Sequence, residues 1–256
     1  IHSDDKDLDE ERDSKQIIVL DGLEKLFLRK VNGFDCLQSL LKLILATDDH
    51  IFWICTCTVH TWDYLNETVR IQDYFDYVIK LEDLDPEEIS TIILKRNQIS
   101  GYNLVYEPDE QAIKSKAFNK LKEEDKQNYL QDKFIDQINK FAKSNLSLAL
   151  IYWIQMTDRV VENKIYIKHF EPPRFDFLQN ISQEKVFILS IIITHGWISS
   201  NDLSKVLVID EEQARLQLRV LREDSIVLEK ESDVYELNLI LYRHVVTMLR
   251  AKNMLH

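Results

Sequence analysis

Apolar residues come in short unbroken runs near the start of the chain and at helical spacing through most of the rest. Ile17-Ile18-Val19-Leu20 is an unbroken apolar run, the pattern of a strand buried on both faces. Residues 34–46 place Leu37, Leu40, Leu41, Ile44 and Leu45 on one helical face. A second strand is predicted over residues 51–58, a short helix over 62–68 and a third strand over 77–81. Strand, helix, strand, helix, strand with apolar strands predicts a parallel sheet with right-handed crossovers.

Helical spacing dominates beyond that point. Asp85, with Pro86 after it and Glu88 three positions on, is a helix start, and Gly101 is its left-handed stop. Residues 109–131 are highly charged and read as exposed helix or a flexible crossing. Phe134, Ile135, Ile138 and Phe141 restore a buried stripe over 129–142, and Leu146 to Leu150 follow an Asn or Ser cap. Glu171-Pro172-Pro173 breaks the chain. Three helices are then predicted over 182–194, 199–207 and 210–224, two short strands around a polar turn over 226–237, and a closing helix over 239–249. Three helices and a hairpin make a winged helix.

The resulting expectation is α/β plus all-α and predominantly helical. It comprises an acidic segment (1–16), a partial sheet domain (17–84), a helical domain (85–171) and a winged-helix domain (172–256). Only 4 glycines and 4 prolines in 256 residues support the helical bias.

The run ending in Asp21, with Glu24 three positions later, resembles the Walker B segment of P-loop ATPases. Its Asp-Gly-Leu-Glu form is similar to the signal-transduction (STAND) ATPases related to the AAA+ superfamily. The Leu-x-Pro-Glu-Glu helix start at Leu84 resembles the opening of the helical lid in those proteins, and winged helices are frequent after that lid. The resemblance implies ATP and Mg²⁺ as cofactors of the full protein, with Asp21 helping to hold the metal and Glu24 orienting or activating water. Thr58, with Thr56 the neighbouring candidate, stands at the sensor 1 position that meets the γ-phosphate. Arg70 stands where some members carry an arginine finger. Asn145 and Ser147 lie near the Gly and Pro of the Gly-x-Pro-x-x-Ala-Leu motif that approaches the nucleotide. Each has an ordinary structural reading beside it: an Asp-Gly turn, a strand threonine, a solvated arginine, a helix cap.

The phosphate cradle is missing. None of Gly22, Gly33, Gly101 and Gly196 starts a Gly-x-x-x-x-Gly-Lys-Ser/Thr loop. The resemblance therefore implies that the Walker A loop lies upstream of Ile1, in a longer protein of which this is the C-terminal part, and that this part binds nucleotide weakly if at all. In that family the cradle strand lies between the second and third strands predicted here. Its absence predicts exposed strand edges, closed by rearranged pairing, another chain or residues outside this sequence.

Charge narrows the partners. The net charge of −12 disfavours non-specific nucleic-acid binding. The third winged helix leads with Asp210, Glu211 and Glu212, which repel phosphate, while Arg215, Arg219 and Arg222 share a face that could meet backbone. A protein partner or self-association is favoured over DNA; the alternatives to an ATPase are a non-enzymatic interaction module on a degenerate ATPase scaffold and a winged-helix DNA-binding regulator. Cys36, Cys55 and Cys57 lack metal spacing and suit a reducing, cytoplasmic setting. No apolar run approaches the ~18 residues of a membrane span. His195 and His244 read as helix-end or packing residues.

Overall fold

The computed structural model describes residues 16–255; the acidic segment expected over 1–16 falls, but for Gln16, outside them. Helix makes up 57% of the structure, with small parallel and mixed sheets. The chain divides into two compact units. One joins the residues up to Ile79 with those from Phe175 onward; the other is Lys80–Arg174.

The first unit opens with β1 (Gln16–Asp21), α1 (Asp35–Thr47), β2 (Ile51–Thr56) and α2 (Val59–Val69). β1 and β2 pair in parallel over six residues, from Gln16 opposite Ile51 to Asp21 opposite Thr56. Alternation sets the two faces. Trp53 and Cys55 join the cluster of Leu37, Leu41 and Ile44 from α1, together with Leu65 and Ile71. Ile17, Val19, Phe52 and Ile54 face outward, and Ile17 is 66% exposed.

Two sequence expectations change here. The third strand, over 77–81, does not form: these residues belong to no sheet, and Tyr77 and Leu81 are more than four-fifths exposed. A parallel strand requires a neighbour to receive its N–H and C=O groups, and among the described residues the only parallel partner of β2 is β1. Of the two exposed edges anticipated, only that of β2 is found, and among the described residues no rearranged pairing closes it. The second strand also stops at Thr56, two residues early, because Thr58 is the N-cap of α2.

The second unit, taken by itself, contains α3 (Pro86–Ser100), β3 (Asn103–Tyr106), α4 (Glu110–Lys114), α5 (Lys116–Asn119), α6 (Glu123–Ala142), α7 (Leu146–Gln155), β4 (Thr157–Val161) and β5 (Lys164–Ile167). α3 begins at a full capping box, in which Asp85 accepts from the Glu88 N–H at 2.7 Å and Glu88 accepts from the Asp85 N–H at 3.0 Å. It ends at left-handed Gly101, so both of its signals act as read. The three-stranded sheet, in the order β3-β5-β4, was not anticipated. β4 and β5 form a hairpin, and β3 pairs in parallel with β5.

The first unit resumes with α8 (Gln183–His195), β6 (Trp197–Ser199), α9 (Ser200–Leu207), α10 (Glu211–Glu223), β7 (Val227–Glu231), β8 (Val234–Leu237) and α11 (Tyr242–Ala251). β8 lies between β6 and β7, antiparallel to both. Beyond its polar first turn α8 is enclosed on every side, and its Val186, Ile188, Leu189, Ile191 and Ile192 are completely buried in the main core with Leu203, Leu218 and Leu221. Ser182 caps its start, accepting from the Lys185 N–H. Among the described residues, no helix is long and apolar enough to cross a membrane.

The sequence treats 17–84 and 172–256 as separate modules, yet in the structure they share one unit. Thr61 on α2, fully buried, donates its hydroxyl to the Thr194 carbonyl near the end of α8 at 2.6 Å. Phe27 packs on His195 with ring centroids 4.7 Å apart, and Arg29 lies over both Tyr64 and Phe187. Removing one partner of a buried hydrogen bond leaves the other unsatisfied, at about 1–3 kcal/mol. Thr61→Val, nearly equal in shape, should therefore lower stability to urea by about that amount, with the transition still cooperative.

Candidate functional site

Asp21 is the last residue of β1, and its carboxylate stands exposed at the C-terminal rim of the parallel pair. Thr56, the last residue of β2, donates its hydroxyl to Asp21 Oδ1 at 2.6 Å. The same hydroxyl accepts from the Gly22 N–H at 3.1 Å, and the Thr56 carbonyl shares that N–H at 3.2 Å. Gly22 holds φ +87°, and a Cβ there would meet the Glu24 and Lys25 side chains at 3.0 Å. The left-handed turn therefore favours glycine. It releases the chain from the strand into a 3-10 turn, Leu23–Leu26, anchored by fully buried Leu23.

Glu24 lies on that turn. It is partly buried, and its Oε2 is enclosed without a hydrogen-bond partner. The Cys57 thiol is pushed up to about 11, chiefly by burial and then by the charges of Glu24, Cys55 and Asp63. It is thus a protonated packing residue rather than a thiolate.

The other expected residues lie elsewhere. Thr58 accepts from the Thr61 N–H at 3.2 Å and shares a 2.9 Å hydroxyl contact with Thr61, so its oxygen is engaged in starting α2. Thr56 is the threonine beside Asp21. Arg70 is exposed at the left-handed C-cap of α2, with φ +53°, and leads into a 3-10 turn, not a strand. Asn145 caps α7 by accepting from the Leu148 N–H at 2.9 Å, and Ser147 is exposed in that helix's first turn. Both belong to the second unit.

A cavity of about 310 Å³ opens beside Glu24, lined among others by Phe27, Lys30, His195, Trp197 and Lys205. His195 is 4% exposed. Burial lowers its pKa to about 4; Arg29 adds to that shift, while a hydrogen bond to the Glu24 backbone and the charge of Asp202 oppose it. Since the bond to the Glu24 backbone favours the protonated ring, the ring N–H is the donor and the carbonyl the acceptor. Nε2 is enclosed without a hydrogen-bond partner. Nothing in the sequence distinguished this histidine, and Thr56 was named only as the neighbour of Thr58; its place beside Asp21 comes from the pairing of two six-residue strands.

No protein-family model matches the chain, and no curated protein matches it.

Chemically, the rim offers one exposed carboxylate with a hydroxyl beside it. Mg²⁺ is commonly held by one or two carboxylates together with substrate phosphates, and Asp21 suits such a part. Among the described residues there is no cluster of three metal-ligating side chains, and no glycine-rich cradle surrounds a phosphate. The residues present fit one corner of a Mg²⁺–nucleotide site and not the whole.

His195 ties stability to pH. Its folded pKa of about 4 lies below the ordinary 6.5, so protonation favours the unfolded chain. The stabilisation is complete above pH 6.5 and is lost as pH falls toward 4, approaching about 3 kcal/mol. Burial lowers His60 and His244 as well, with the same sign. His195→Gln, which keeps an N–H for the Glu24 carbonyl, should flatten the fall in unfolding free energy between pH 6.5 and 4 in urea titrations, leaving the share due to His60 and His244.

Proposed function

We propose that this chain is the part of a STAND or AAA+-like regulatory ATPase that runs from the Walker B strand through a helical lid to a winged helix. Its role is to couple the nucleotide state of the full protein to a protein partner. The observation that carries this reading is Asp21, exposed at the C-terminal end of a parallel strand and hydrogen-bonded to the threonine that ends the neighbouring strand. Ligands in open α/β sheets bind at that rim.

Three features support it. Among the described residues β2 has a free edge, where a further parallel strand would pair. The Lys80–Arg174 unit is a mainly helical body of its own, as a lid would be. The order α8, β6, α9, α10, β7, β8, with β8 central in an antiparallel sheet, is the winged-helix order.

The proposal keeps Asp21 as the metal carboxylate and gives the companion role to Thr56. It leaves Glu24 out of the water-activating role, because one oxygen of its carboxylate is enclosed beside His195. Arg70, Asn145 and Ser147 receive no role. Protein contact is preferred to DNA. α10 begins with exposed Glu211 and Glu212, Arg215 is tied to Glu211 at 2.7 Å, and Arg222 is tied to Glu229.

The test is nucleotide titration of the protein expressed from its complete reading frame, with and without Mg²⁺. Asp21→Asn should weaken the Mg²⁺-dependent part of ATP binding at least about tenfold, the scale of losing a metal contact, and depress turnover in parallel. Equal Mg²⁺-dependent affinity in wild type and variant would remove Asp21 from any metal site, and the ATPase reading with it.

A further inference from the structure

We propose that the outward face of α10, together with Val208 just before that helix, is a docking surface for a basic amphipathic helix of another protein. The proposal rests on the reading above only in preferring a protein partner to DNA, and its test involves no nucleotide.

Val208 is costly where it stands. It ends α9 at φ +56° and is 89% exposed. A β-branched residue in the left-handed region is strained, whereas glycine or asparagine adopts that conformation readily. Strain that the fold does not need points to a use for the side chain. Two residues on, Asp210 takes the N-cap position of α10 but makes no side-chain cap bond. Its carboxylate is therefore not spent on starting the helix.

α10 sets one stripe opposite its core. Ala214, Leu218 and Leu221 are its buried residues. At 3.6 residues per turn, Glu212, Leu216 and Glu223 lie on the far side. All three are exposed, Leu216 to 64%. Half-buried Val220, one turn beyond Leu216, widens the apolar centre.

The arginines of the helix are drawn elsewhere. Arg215 is tied to Glu211 at 2.7 Å, and Arg222 is tied to Glu229. The Glu229 carboxyl is held below the usual range by the Asp233 N–H, then by Arg222 and by the charge of Arg219, so Arg219 acts toward the wing. Asp210, Glu212 and Glu223 form no ion pair among the described residues. The outward face is thus an apolar centre with free carboxylates before and after it along the helix. A partner helix whose apolar stripe is bordered by lysine or arginine complements both features. Phosphate would meet the same acids and be repelled.

The experiment is titration of the protein with a peptide of leucine and lysine alone, about 18 residues or five turns long, patterned so that lysines border one leucine stripe. A scrambled peptide of the same composition, with no stripe, is the control. Affinity is read by calorimetry and position by backbone amide chemical shifts. The patterned peptide should bind saturably and shift the amides of α10 and Val208. Leu216→Ser should weaken it at least about tenfold, the scale of losing one buried leucine. Glu212→Gln and Glu223→Gln should each weaken it about two- to fivefold. Glu231→Gln removes an equal charge from an exposed position on the wing and should leave affinity unchanged. Val208→Asn should lower affinity while raising the melting temperature, since it releases strain. No saturable binding, equal affinity in all the α10 variants, equal binding of the scrambled peptide, shifts confined to other elements, or displacement of the peptide by a DNA duplex would each overturn the proposal.

Discussion

Beyond its exposed first turn, helix α8 has no face for water, and the first unit is arranged to meet that condition. Nine of its thirteen residues are buried, including Ser190, Thr194 and His195. A helix apolar all round must be enclosed, and an enclosed helix end must find partners for its last carbonyls. Ser190 and Thr194 return their hydroxyls to carbonyls of the helix itself, those of Phe187 and Ser190. The Thr194 carbonyl is answered from α2, 133 positions away in sequence. That bond, with Phe27 against His195, makes the parallel strand pair and the C-terminal helices parts of one body.

The same closure explains how two acids three residues apart come to have different surroundings. Gly22 turns the chain sharply at the end of β1. Asp21 remains exposed on the strand rim, fixed by Thr56, while Glu24 joins the 3-10 turn that packs toward α8. The sequence spacing of Asp21 and Glu24 invites a shared site, but the turn between them gives each its own.

Legibility followed the locality of the signals. α3 was readable from Asp85, Glu88 and Gly101, because caps act within a turn of the residues that make them. α1 was readable from spacing, and α8 from an apolar run that begins at a Ser182 cap. Residues 77–81 carry as apolar a run as β1, but strand formation depends on a neighbour that no local pattern reveals. β3 and β5 failed in the opposite sense: four-residue strands whose pairing joins Asn103 to Lys164 leave little periodicity to find. Thr58 was preferred to Thr56 because the apolar alternation continues past the strand's end, while the capping role of Thr58 was not weighed. His195 stood out only once Glu24 lay beside it.

The two-stranded parallel pair has one more consequence. Its outer edges carry no strand among the described residues, and Ile17, Val19, Phe52 and Ile54 make its open face greasy. If the β2 edge of one molecule met the β1 edge of the next in the same parallel sense, the contact would be head to tail and would never exhaust itself. Such a chain of molecules would lengthen into filaments rather than stop at a dimer. A two-fold pairing of like edges would stay discrete, as would a head-to-tail ring whose rotation closed on itself, but the two-fold pair would leave a bare flank on either side.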